Sequence, residues 1–486
     1  MVPAASGTIC TIANILSCHR DIEAIPSTEL AVMVAAMTHE ERLSALSLAT
    51  VFSIRLLGLF MIYPVFATYA GHLSGASAAL TGLALGIYGL TQSLLQIPFG
   101  LMSDRIGRKT MIVAGLLIFA AGSVIAAMST SILGVVIGRA LQGGGAVGSV
   151  VLALVADLTS EEHRTSAMAM VGITIGMSFV VALVAGPLVA GVIGVAGIFW
   201  LMVGLAFVGI LITLFVVPHP GGIRQHRDAE AVPSMLGRVL ANGDLLRLDY
   251  GIFALHAMLT ATFLVMPQLL HQVLSVSSDK QWYVYLPVLL FSVIVMVPSI
   301  IIAEKYRRMK MIFVTAVIAL AASQLLLLSN AGNGIILIVA LTLFFAGFNV
   351  MEASLPSLIT KTAPPDARGT ATGVYSSSQF LGIFVGGAIG GWSLQTGGNS
   401  GVFALSSTLA LIWLVIAVTM RVPSYLTTRL IRLPQTTDDA QAVAHKLRSM
   451  PGVAEVVIVV EDGLAYLKVD SKIFDAAAAE ALAGAT

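Results

Sequence analysis

Long apolar runs separated by short polar loops dominate this chain. A bilayer hydrocarbon core of ~30 Å takes ~20 helical residues to cross. Twelve runs meet that length: about 46–70, 80–101, 109–128, 132–154, 166–190, 196–217, 248–272, 282–303, 311–328, 334–358, 370–392 and 401–420. They are continuous and lack alternating polar positions, so they predict helices and not barrel strands. Residues 218–247 break the series with Pro218, Pro220, Gly221, Gly222, Arg224, Arg227, Asp228, Glu230 and Pro233. They read as a polar linker between two six-helix groups, 46–217 and 248–421.

After Arg421 the texture becomes that of a soluble domain, residues 424–486. A strand is predicted over 424–433. Thr437, Asp438 and Asp439 cap a helix whose Ala440, Val443, Ala444 and Leu447 share a face. Pro451-Gly452 turns into a strand over 453–460, and Asp462-Gly463 marks a hairpin to a strand over 464–470. An Ala-rich helix over 474–483 follows. The order βαββα is that of a ferredoxin-like domain without its last strand. The expected fold is therefore an all-α membrane protein, twelve transmembrane helices in two halves, with a small α+β domain appended.

Residues 1–45 form an N-terminal leader without the charged n-region of a secretory signal. Met37 opens MTHEERL and offers a second start, which leaves 1–36 as either a disordered leader or untranslated sequence.

Composition agrees with a lipid environment: of 486 residues, 57% are hydrophobic and only 10% charged, against about 25% charged in soluble domains. A net charge of +1 gives no sign of a nucleic-acid partner. Where the charges fall says more. Arg105, Arg108, Lys109, Arg164, Arg224, Arg227, Arg238, Lys305, Arg307, Arg308, Lys310, Lys361 and Arg368 lie in one set of loops, while the opposite set holds only Lys280. The positive-inside rule puts the basic loops, both termini and the appended domain in the cytoplasm of an inner-membrane protein. Cys10 and Cys18 both fall in the leader, beside His19. Structural zinc needs four ligands, so no metal site is expected.

The halves echo each other. A shift of 200 residues pairs Asp104 with Glu304, Arg105 with Lys305, Arg108 with Arg308 and Met111 with Met311. A shift of 204 pairs Arg164, Ser166 and Ala167 with Arg368, Thr370 and Ala371. Two near-equal shifts support a duplicated six-helix unit, which places a substrate site near the midplane between halves.

The loop GLMSDRIGRK, Gly100 to Lys109, permits close helix approach at Gly100 and a tight turn at Gly107. Asp104 can meet a helix N-terminus or a basic side chain, and Arg105, Arg108 and Lys109 can pair with Asp157. This loop resembles the signature of the major facilitator superfamily, G-x-L-[SA]-D-R-x-G-R-[RK]. The resemblance implies a latch that opens during the transport cycle; a plain topology anchor is the alternative. RALQGGGA, from Arg139, is similar to that family's fourth-helix motif and implies a part for Arg139 in proton coupling. Snorkelling to the interface is its alternative. ALVAGPLVAG (182–191) resembles the antiporter motif G-x-x-x-G-P-x-x-G-G through Gly186 and Pro187, although Ala182 and Ala190 replace two glycines. Small residues that simply pack helices would look the same. From residue 39 onward the chain resembles the YajR group, through VFSIRLLGLFMIYPV (51–65), GIYGLTQSLLQIPFG (86–100), FNVMEASLPSLI (348–359) and GVYSSSQFLGIFVGGAIGGW (373–392). A ferredoxin-like tail distinguishes that group.

Ionisable residues inside apolar runs are functional candidates by default. Glu352 is the preferred proton carrier, with Arg55, Arg139 and His256 as further coupling candidates; a permanent pair of Glu352 with a basic neighbour such as Arg55 is the bland alternative. Tyr88, Gln92 and Gln96 fall at i, i+4 and i+8, and Tyr375 and Gln379 repeat the spacing. With Asn349 they either line a water-filled substrate cavity or bond helix to helix. The tail resembles heavy-metal domains in fold order but lacks their cysteines; regulation, self-association and ligand sensing are its open roles.

These readings converge on a secondary transporter, driven by the proton gradient without a cofactor, that exports a small solute. A symporter or facilitator importing a metabolite, and a non-transporting membrane sensor, are the rivals. No nucleophile–base pair, metal cluster or phosphate loop points to an enzyme.

Overall fold

The computed structural model describes residues 37–219, 233–364, 367–421, 427–432, 440–459, 464–470, 473–476 and 478–479. Among the described residues, ten helical stretches are long and apolar enough to cross a membrane. Two of them, Glu161–Leu211 and Arg368–Thr419, are each divided by a non-helical glycine, Gly194 (φ 73°) and Gly398 (φ 61°). Divided there, they give the twelve expected spans. The leader 1–36 lies outside the described residues.

Three boundaries differ from expectation. The first span begins at His39, not near 46. Thr38 caps it with a reciprocal box: its Oγ1 accepts from the Glu41 amide, and its own amide donates to the Glu41 carboxylate. The seventh span begins at Gly243, not 248, because Asn242 Oδ1 accepts from the amides of Asp244 and Leu245. Both extensions are polar turns that protrude beyond the apolar stretch, so hydropathy alone did not include them. The linker is correspondingly shorter: Pro233–Met235 and Leu236–Leu240 are already helical, and residues 220–232 lie outside the described set. Two spans are also broken within: the first at Met61–Ile62, before Tyr63–Ala70, and the fourth at Gly145–Val147, between Ile132–Gly144 and Gly148–Asp157.

The halves meet at the end of the bundle away from the described tail, and along the second and eleventh spans as far as Ser93–Ser377 and Gln96–Gly373. A Cβ on Gly82 of the second span would lie 2.2 Å from the Gly387 carbonyl of the eleventh, so these backbones touch directly. The eleventh span is equally close to the seventh, where a Cβ on Gly386 would lie 2.2 Å from the Ala257 carbonyl. Only glycine allows such approach. Tyr63 bonds Thr260 at 3.2 Å and stacks near Phe263, and Phe179 packs on Phe345 and Phe348.

The tail is a three-stranded antiparallel sheet of order β1-β3-β2, from β1 (Thr427–Arg432), β2 (Val453–Val459) and β3 (Leu464–Val469), with the helix Ala440–Arg448. Among the described residues, that is the ferredoxin-like order of the first three strands. Ala465, Leu467 and Val469 enter its core beside Ile431, Val443, Leu447 and Val456. By strand alternation Lys468 faces the other way, and its Nζ donates to the Lys361 carbonyl at 2.9 Å and the Thr362 carbonyl at 3.5 Å. Burial lowers the pKa of this ammonium, with Glu455 opposing the shift. Arg307, in a left-handed conformation (φ 54°) after the eighth span, grips Asp470 through both guanidinium nitrogens. The cap at 437–439, the 462–463 hairpin and residues 480–486 lie outside the described residues.

Candidate functional site

Glu352 sits on the tenth span, ten residues before its end at Thr362. Its Oε2 is 3.9 Å from Nε2 of His256 on the seventh span and has no hydrogen-bond partner. The His256 side chain is 1% exposed and that of Glu352 27%, so the carboxylate is the member open to water. The tautomer of His256 follows from its neighbours. Nδ1 lies 3.3 Å from the Ile252 carbonyl, which only accepts, so Nδ1 carries the hydrogen. Nε2 then holds a lone pair and accepts from the Gln379 amide of the eleventh span at 2.9 Å. Phe348 covers the imidazole at 5.7 Å between centroids. Nε2 has a single lone pair, held here by the Gln379 amide, so sharing a proton with the Glu352 carboxyl 3.9 Å away requires that bond to yield.

Arg55 is not the partner of Glu352. Its Nη2 donates to Tyr88 at 3.0 Å and Gln92 at 2.8 Å, and it lies near the Tyr88 and Phe119 rings. Arg139 is fully buried, not snorkelling: it donates to Gln142 at 2.9 Å and to the Ala84 carbonyl at 3.4 Å, with Tyr88 5.0 Å away. The first half thus holds two buried guanidinium groups among neutral acceptors. The second half instead holds carboxylates, Asp249 buried and Glu352 partly exposed.

The other polar candidates separate by what they touch. Gln96 donates to the Gly373 carbonyl at 3.4 Å, joining the second and eleventh spans, and Asn349 donates to Ser292 at 2.6 Å. Tyr375 is 5% exposed, and its hydroxyl has no partner. Gly186 approaches the first span where that helix is broken: a Cβ there would lie 2.3 Å from the Met61 carbonyl, with Pro187 next to it inside a continuous helix.

In the basic loop, Gly107 turns the chain at φ 103° from the second span into the third. Arg108 is buried there. Its Nε donates to Asp157 at 3.0 Å and its Nη1 to Ser103 at 2.6 Å, and it pairs with Asp104. Lys109 turns instead to the Leu214 and Val217 carbonyls, at 3.3 and 2.8 Å, and so caps the sixth span. Arg105 is exposed, and a Cβ on Gly100 would lie 3.3 Å from Ser149 of the fourth span. In the second half Lys361 meets Glu304 at 2.6 Å.

Sequence reasoning missed Asp249, Lys468 and Asp470. Asp249 was legible as an acid at the second position of the run 248–272, inside LDYGIFAL and next to the linker that ends at 247. Among the described residues, no group of three or more His, Cys, Asp or Glu could hold a metal ion.

The bundle, its duplicated halves and its polar interior are those of a membrane transporter, and the chain belongs to the Major Facilitator Superfamily, which matches residues 48–387. Residues 429–483 match the YajR YAM domain. Among relatives, the chain is 45% identical over 437 residues to the inner membrane transport protein YajR of Escherichia coli, covering 90% of this chain and 96% of that one. It is 26% identical to the multidrug resistance protein MdtH of Aeromonas salmonicida, covering 71% and 86%. A solved bacterial homologue of the human lysosomal transporter Spinster, inward-facing and unoccupied, shares the fold at a TM-score of 0.62 and 14% identity, covering 79% and 98%.

Proposed function

We propose that this transporter is an inner-membrane exporter that exchanges protons for an outgoing solute by alternating access, with Glu352 and His256 as the coupling pair. The observation that carries this reading is the Glu352 carboxylate, whose Oε2 has no hydrogen-bond partner and lies 3.9 Å from Nε2 of a buried histidine. Protonation neutralises Glu352 and lets its surroundings close dry, whereas the ionised form needs water or a cation. A site exposed alternately to either side therefore loads and releases a proton. Each charge crossing 100 mV gains ~2.3 kcal/mol, enough for modest uphill export.

The positive-inside pattern assigns the tail end to the cytoplasm. Close apposition of the halves at the other end favours a state whose site is reached from the cytoplasm. The likeness to MdtH and the Gly186-Pro187 motif support export over import. The small solute, the lipid bilayer and the proton are the partners of this reading, and no nucleic acid enters it. The tail serves as a regulatory module, by ligand binding or self-association.

The test is proton movement in proteoliposomes carrying an internal pH dye, challenged with solutes preselected by thermal shift. Solute addition should move protons in the wild type, and Glu352→Gln should reduce that flux by about 100-fold. Undiminished flux in the variant would remove Glu352 from the mechanism.

A further inference from the structure

We propose that Gln379 is a positioning residue that decides whether Glu352 or His256 holds the proton, an inference resting on the reading of those two as the coupling pair. The neutral imidazole offers one lone pair, at Nε2, and two groups compete for it. The Gln379 side-chain amide takes it at 2.9 Å, while Oε2 of Glu352 stands off at 3.9 Å without a hydrogen-bond partner. The direction of the amide is fixed by the ring. With Nδ1 donating to the Ile252 carbonyl, an Oε1 turned toward Nε2 would set lone pair against lone pair, so the NH2 end faces it. Gln379 therefore keeps the histidine from accepting the carboxyl proton, and the partly exposed Glu352 stays free to exchange with water.

The contact inverts when the proton moves. The carboxyl O–H bond breaks and an Nε2–H bond forms, leaving a carboxylate and an imidazolium with the total charge unchanged. Both ring nitrogens are then donors, and an amide N–H aimed at Nε2 meets another hydrogen. Gln379 must turn its amide by half a turn, so that Oε1 accepts from Nε2, or yield the place to the carboxylate. Return of the proton to Glu352 reverses each change.

The backbone of Gln379 is not free to follow. Two residues before it, the Ser93 hydroxyl donates to the Ser377 carbonyl at 2.9 Å and the Ser377 hydroxyl to the Ser93 carbonyl at 3.4 Å, across the two halves. Three residues after it, a Cβ on Gly382 would lie 2.2 Å from the Phe253 carbonyl. The eleventh span is thus pinned to the second and to the seventh on either side of Gln379, which leaves the side-chain torsions to respond. One proton becomes one amide rotation at the joint between the halves. Other titratable groups on the packed elements are Asp249 on the same span, Tyr375 on the eleventh, Tyr63 on the first and Tyr88 on the second; the twelfth brings none. Tyr63 is taken by Thr260 and Tyr88 by Arg55, and none of the four bonds the imidazole.

The experiment reads the histidine and needs no solute: full-length protein in lipid nanodiscs, with nitrogen-labelled histidine, is titrated by magnetic resonance. The His256 signals are those absent in His256→Gln. At neutral pH the wild type should show hydrogen on Nδ1 and a bonded lone pair on Nε2. Gln379→Leu, which has no donor, should raise the midpoint at which His256 takes up its second proton by about one pH unit, the worth of one hydrogen bond. Gln379→Glu, close in shape and able to accept, should raise it as well. In a Glu352→Gln background Gln379→Leu should leave the midpoint in place, because the carboxylate that competes for Nε2 is gone. A midpoint unmoved by either substitution at Gln379 overturns the inference, as does hydrogen on Nε2 in the wild type. An equal rise in both backgrounds also overturns it, by making Gln379 a packing residue. If Glu352→Gln alone fails to lower the midpoint, acid and histidine share no proton and the coupling pair itself falls.

Discussion

Arg108 is held from three sides, by Asp157, Ser103 and Asp104, with 1% of its side chain exposed. Removing one charge from such a buried group leaves the other short of compensation, which costs several kcal/mol. Asp157→Asn is therefore expected to destabilise the protein by about 3 kcal/mol, read as a lowered unfolding midpoint in detergent. Arg108→Lys should not substitute, because an ammonium cannot present Nε and Nη1 to separate partners in a fixed plane. The pairing of the basic loop with Asp157 was legible in the sequence, although Arg105, Arg108 and Lys109 stood as equal candidates for it. The Glu352–His256 pair was not. Both residues stood out as ionisable groups in apolar runs, but which helices face each other across the bundle is a packing outcome, and the partner named for Glu352 in the alternative reading was Arg55. Tyr88 and Gln92 satisfy that arginine locally and leave Glu352 to the histidine.

Glycine spacing decides how closely the elements pack. On the eleventh span Gly382 and Gly386 meet the seventh, while Gly387 and Gly391 meet the second. One helix is thus clamped on two sides by backbone contact. A large residue at Gly386 has no room, so Gly386→Leu is expected to cost at least about 1–3 kcal/mol. Gly204, which has nothing within 4 Å, provides the contrast: Gly204→Ala should raise helix stability slightly, by about 0.5–1 kcal/mol. Thermal unfolding of the two variants side by side checks both signs. The twelve spans were readable because lipid demands that every backbone group be satisfied within its own helix, which forces long apolar runs. The helix starts at His39 and Gly243 were less readable, since there water is the solvent and capping side chains, Thr38 and Asn242, set the boundary.

At the scale of the molecule, the tail is fastened to the second half alone among the contacts described, through Arg307–Asp470 and the Lys468 bonds to Lys361 and Thr362. The ion pair is partly exposed and worth at most about 1 kcal/mol. Replacing it together with the lysine, Asp470→Asn with Lys468→Met, should free the tail without unfolding either part. Trypsin cleavage after Arg421 is then expected to quicken by about fivefold or more, while the unfolding midpoint of the bundle stays put. An unchanged cleavage rate would mean that these bonds do not hold the tail in place. The helix whose last carbonyls Lys468 grips is the one that carries Glu352, some ten residues, or about 15 Å, further in. Grip and acid ride on one stiff rod. If clasping the tail biases the position of that rod, then by thermodynamic reciprocity the proton load of the acid biases the clasp to the same extent.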